Sequence, residues 1–82
     1  MDLERSAMLG RLADAEAHEG RLRLSIEAKC STIRQHLNTA LVPIAEIDIA
    51  TVAALNDELL ASFAEYHGLR ADIARLKKAL GR

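Results

Sequence analysis

Residues 52–80, VAALNDELLASFAEYHGLRADIARLKKAL, decide the fold. Read at alternating steps of three and four, they give Val52, Leu55, Leu59, Ser62, Tyr66, Leu69, Ile73, Leu76 and Leu80. Only Ser62 is neither apolar nor aromatic. A stripe sustained at this period predicts one long helix lying against another. It is a signal for assembly rather than for chemistry.

The flanking residues mark where that helix starts and stops. Asp48 is placed to accept the free amide hydrogens of a first turn. Ile47 and Val52 then take the spacing of a hydrophobic staple. At the far end, Lys77 and Lys78 complement the negative end of the helix dipole. Gly81 is suited to the left-handed conformation that closes a helix. Pro43 is the only proline; inside a helix it costs ~3 kcal/mol and restricts Val42 before it. The chain is therefore read as a first helix over about 3–41, capped by Asp2, a loop over 42–48, and a second helix over about 49–80. The loop residues Ile44 and Ile47 are expected to plug the end of the pair.

The first helix is less regular. Met8, Leu12, Ala15, Leu22, Ile26, Ile33 and Ala40 keep a heptad register, interrupted by Glu19, Lys29 and His36. Leu9, Leu24, Cys30, Leu37 and Leu41 broaden the apolar face, which suits contact with more than one partner.

Charge sets the orientation of the pair. Residues 1–20 carry five acids and two bases, and residues 21–34 four bases and one acid. Residues 35–69 carry five acids and no Lys or Arg, and residues 70–82 five bases and one acid. Folding at Pro43 brings acidic blocks against basic ones, whereas a parallel pairing would set like against like. Exposed pairs contribute only a few tenths of a kcal/mol each, so the blocks choose direction more than they stabilise. The expected facing residues have numbers totalling about 88–90, which sets Gly20 opposite Gly68 and His18 near His67. Two glycines at one level indicate a close approach, a kink or room for a partner's side chain. Tolerated surface glycines are the competing explanation.

Composition narrows the remaining possibilities. Eighty-two residues make one small domain, and a chain with one Phe, one Tyr and no Trp has few bulky groups to fill a wide core. A two-helix hairpin buries too little to offset the ordering of its chain. The expected architecture is thus all-α: an antiparallel, coiled-coil-like hairpin over 1–82 that oligomerises, most simply as a homodimer forming a four-helix bundle. The interface is assigned to Leu12, Leu22, Ile26, Ile33, Leu55, Leu59, Phe63, Leu69, Ile73, Leu76 and Leu80.

Catalytic and ligand-binding chemistry is thinly represented. A metal site built from His18, His67 and Glu19 or Glu65 lacks any His-x-x-x-His, His-Glu-x-x-His or Glu-x-x-His spacing. Cys30 lies between Ile26 and Ile33 and reads as a small hydrophobe, not a nucleophile. No cofactor, catalytic residue or metal is assigned. Arg70, Arg75, Lys77, Lys78 and Arg82 could touch phosphates, but no aromatic groups interleave with them, and they also serve as partners of the acidic N-terminal block. A net charge of −1 gives no general attraction to nucleic acid or anionic membranes. The absence of a basic or apolar leader, of a long apolar run and of a second cysteine leads to the expectation of a cytoplasmic protein.

The segment LNTALVPIAEID (residues 37–48), followed by IATVAALNDELLASFAEYHGLRADIARLKKALG (residues 49–81), resembles small uncharacterised helical-hairpin proteins of Mu-like prophages. The resemblance implies a bacterial, intracellular, phage-derived accessory protein and carries no activity or site residues with it. The expected function is non-enzymatic protein–protein interaction, with itself or with another phage or host protein. The alternative is a nucleic-acid-associated regulator acting through the basic end of the second helix.

Overall fold

A computed structural model describes residues 2–82. It contains two α-helices, α1 (Leu3–His36) and α2 (Ile49–Ala79), joined through a single 3-10 turn at Ile44–Glu46, with no strand among the described residues. The helices lie antiparallel: Arg5 Nη1 donates to the Leu80 carbonyl at 3.4 Å, and His18 Nε2 lies 3.1 Å from Glu65 Oε1. The hairpin measures 65 × 17 × 15 Å, with a radius of gyration of 18.4 Å. A globular chain of this length would have a radius of about 12 Å.

Local chemistry fixes the helix ends. Asp2 accepts from the Arg5 amide at 3.1 Å, with Glu4 in the first turn of α1. Asp48 accepts from the Thr51 amide at 3.0 Å and from the Thr51 hydroxyl at 2.6 Å. Those two hydrogen bonds, with a smaller contribution from the charge of His36, hold the Asp48 carboxyl below its ordinary value of 3.8. At the C-terminus the Arg82 amide donates to Lys77 at 2.8 Å and the Gly81 amide to Lys78 at 3.1 Å. This paired closure requires a left-handed residue, and Gly81 takes φ 78°.

The first helix stops at His36, not near residue 41. Asn38 ends it: its side chain accepts from the Ala40 amide at 3.1 Å, and its carbonyl accepts from Leu41 and Val42 at 3.0 and 2.9 Å. An asparagine offering its backbone such a local alternative competes with the helix and wins before Pro43 is reached. Ending α1 earlier also resets the register. Facing residues total about 85, as do the two helix ends flanking the connection, His36 and Ile49. The level of Gly20 is therefore near Glu65, almost one turn from Gly68.

The second-helix stripe matches the fold position by position. All nine residues from Val52 to Leu80 are buried or half-buried, and Thr51 is the only other non-exposed residue of α2. In α1 the series Met8, Leu12, Ala15, Glu19, Leu22, Ile26, Lys29, Ile33 and His36 is likewise withdrawn from solvent. The heptad register thus runs straight through the polar positions. Lys29 donates to Ser25 Oγ at 2.8 Å.

Full burial is nevertheless scarce. Among the described residues Leu12, Ile73 and Leu80 form the core, with Met8, Leu9, Ala15 and Leu76 packed around them. It lies at the end away from the connection. Ile44 is 79% exposed and plugs nothing, whereas Ile47 is half-buried. Ile44 begins the 3-10 turn and stands beyond the last level that the two helices share.

Two outcomes follow. Leu12→Ala, at a residue only 1% exposed, should cost about 3 kcal/mol in denaturant unfolding, while Leu24→Ala, at 67% exposure, should stay within about 0.5 kcal/mol. A folded-state pKa that is lowered means stability fully present above the unfolded value and lost as pH falls through the folded one. Asp48 therefore stabilises the hairpin above pH 3.8 and ceases to do so as acid protonates it. An acid titration of Asp48→Asn, followed by circular dichroism, should lack that component of the wild-type loss.

Candidate functional site

The two helices share one seam, so each leaves two flanks. The residue after each seam position falls on one broad face of the hairpin, and the residue before it falls on the other. The two faces differ in chemistry.

The face made by the preceding residues is polar. It carries His18, Arg21, Ser25 and Thr32 from α1 and Thr51, Glu58, Glu65 and Asp72 from α2. The His18–Glu65 pair spans it, Thr32 donates to the Ala28 carbonyl at 3.0 Å, and Arg75 pairs with Asp72. His18–Glu65 is the one cross-helix ion pair among the described residues. The complementary charge blocks therefore act as diffuse fields and do not pair salt bridge by salt bridge across the seam.

The other face is apolar in the middle and basic toward the termini. Ile26 and Cys30 from α1, with Asn56, Leu59, Leu60 and Phe63 from α2, line a groove of ≈ 240 Å³. Leu60 is 63% exposed and Phe63 51%. Phe63 packs edge-on against His67 with ring centroids 4.5 Å apart, and Tyr66 meets the same imidazole at 5.8 Å. Further along lies a second groove, of ≈ 370 Å³, between Glu19 and Arg23 of α1 and Tyr66, Arg70 and Lys77 of α2. Arg23 donates to Glu19 at 2.6 Å, and this bond first of all holds the Glu19 carboxyl below its ordinary value of 4.5, helped by the charge of Arg70. The Arg70 guanidinium lies 5.9 Å from the centre of the Tyr66 ring.

Ten of the eleven interface residues chosen from the sequence are withdrawn from solvent along the seam; Phe63 is the exception and stands on the apolar face. The grouping of His18, His67, Glu19 and Glu65 is dispersed. His18 and Glu65 lie on the polar face, His67 stacks on Phe63, and Glu19 is paired with Arg23. No three His, Cys, Asp or Glu side chains among the described residues gather as a metal ion would require. Cys30 is a free, half-buried thiol in the apolar groove. Glycines 20 and 68 fall on opposite faces, and a Cβ at either would meet nothing within 4 Å. No helix is long and apolar enough to cross a membrane among the described residues.

Sequence reasoning assigned Phe63 to one interface with the seam residues, whereas it stands with Leu60 on a separate, exposed face. The missed signal is a second heptad series, Ile49, Ala53, Asn56, Leu60, Phe63 and His67, offset by one residue from the first.

No family model, no curated protein and no solved structure matches this chain.

Gly68 sits in open space on the solvated face of a helix, so it contributes backbone entropy cost and nothing else. Gly68→Ala should raise stability by about 0.5–1 kcal/mol in urea unfolding.

Proposed function

We propose that this chain is a non-enzymatic protein–protein assembly module that works first of all by associating with itself. The observation that carries the proposal is the surface left uncovered. The hairpin exposes 5949 Å², against about 4,900 Å² for a globular monomer of 9.0 kDa. Leu60, Phe63, Leu37 and Ile49 stand out on one side of the seam. Contiguous apolar surface rimmed by charge marks an interaction site. Burying the excess in a homo-oligomer, most simply a four-helix bundle, supplies the packing that three core residues cannot.

The setting proposed with this function is the bacterial cytoplasm, where a lone free thiol is kept reduced, and the prophage resemblance gives the origin. Another phage or host protein would then join an assembly that already exists. The cluster of Arg23, Arg70 and Lys77 favours a second reading, a regulator that grips nucleic-acid phosphates. Glu19 in the middle of that cluster weakens it as an anion site.

Analytical ultracentrifugation across micromolar concentrations is expected to show a species of twice the chain mass or more, dissociating on dilution together with loss of helicity. A folded monomer at every concentration would refute the assembly reading. Electrophoretic retardation of duplex DNA at low salt, abolished by neutralising Lys77, Lys78 and Arg82, would establish the nucleic-acid reading instead.

A further inference from the structure

The groove of ≈ 370 Å³ holds more positive charge than the hairpin itself uses. It lies toward the termini, beyond the exposed Leu60 and Phe63. Arg23 reaches it from α1, and Arg70 and Lys77 reach it from α2. Among the described residues lining it, Glu19 is the one acid. Three cations and one acid leave the groove at +2, in a chain whose net charge is −1.

Glu19 already has a partner. Arg23 donates to it at 2.6 Å, and the Tyr66 hydroxyl acts on both groups. Arg70 and Lys77 form no ion pair among the described residues. Seven residues separate them, which is two helical turns or ~10.5 Å along one side of α2. Ala74 stands between them, next to the buried Ile73. Its methyl group leaves the space above it open.

Two unpaired cations at that spacing select among anions. A single small ion can reach only one of them closely. A nucleic-acid strand laid along the groove would have to pass Glu19, whose charge repels it. A short chain of linked phosphates sets several negative oxygens in a row and ends before it reaches Glu19. Guanidinium and ammonium groups are both strong phosphate partners. From this we infer that the groove over Ala74 binds a short linear polyphosphate, free or carried on a small molecule. Arg70 holds one end, Lys77 holds the other, and Arg23 flanks it from α1. The inference goes beyond the assembly reading and does not depend on it. The negative end of the α2 dipole does not oppose it, because that field fades within the last turn, past Ala74.

Calorimetric titration of the full chain with sodium tripolyphosphate, at constant ionic strength, reads the site directly. Tripolyphosphate is expected to bind once per chain and about ten-fold or more tighter than inorganic phosphate. Arg70→Gln and Lys77→Gln should each weaken it about ten-fold. Lys78→Gln removes the same charge outside the groove and should weaken it less than about two-fold. Ala74→Leu changes no charge and keeps a good helix former, so it should abolish binding while circular dichroism stays unchanged. Adenosine triphosphate binding as tightly as tripolyphosphate would support the site for any carrier of the chain. Binding of tripolyphosphate alone would support it for the free chain. Three results overturn the inference: no heat at millimolar tripolyphosphate, equal losses from Lys77→Gln and Lys78→Gln, or undiminished binding by a folded Ala74→Leu. A wild type that sediments only as a monomer sinks the assembly reading and leaves this site standing.

Discussion

Everything in this protein depends on one seam between two helices. A helix packed against a single neighbour can hide only one stripe, and the remaining two-thirds of its circumference meets water. That geometry explains why half of an 82-residue chain is hydrophobic while, among the described residues, only Leu12, Ile73 and Leu80 are buried. It also explains how Glu19, Lys29 and His36 can occupy seam positions. At the edge of so thin a layer, a long polar side chain covers apolar surface with its stem and keeps its charge wet.

The connection between the helices sets the register of that seam, and here the sequence was harder to read than its punctuation suggested. The start of α2 was legible because Asp48 and Thr51 form a cap whose chemistry is local. The period from Val52 to Leu80 was legible because nothing interrupts it. The end of α1 was not, because Pro43 is a conspicuous stop and Asn38 an inconspicuous one. Asn38 acts by offering its amide oxygen to Ala40, an option that sequence reveals only as a tendency. Five residues at that point moved Gly20 and Gly68 apart by almost a turn; His18 and His67 come level in the new register but stand on opposite faces of the hairpin.

The two faces of the hairpin were legible in part. Phe63 was read as part of the interface, but its membership, with Leu60, of a second periodic series emerged only when the seam was fixed. Once it was, every position one step beyond it became a candidate for the same side. The charge blocks gave the antiparallel direction correctly while suggesting cross-helix ion pairs that, His18–Glu65 apart, do not form among the described residues. Their evenness along the chain reflects solvated ends, where long-range attraction survives without fixed geometry.

The position of the core has a consequence for how the chain acquires its shape. Leu12 touches Ile73 and Leu80, so the best-packed contact joins residues about 60 positions apart, not the ends of the short connection. Bringing together so distant a pair costs about 1.4 kcal/mol more chain entropy than closing the twelve residues between His36 and Ile49. On a ribosome, α1 emerges first with nothing to lie against, and its partner stripe is complete only when the last turn of α2 has cleared the exit tunnel. The nascent chain must therefore keep a long amphipathic helix from straying until α2 has been made. The acids of its first twenty residues, held apart from other emerging chains by like charge, are well suited to that wait.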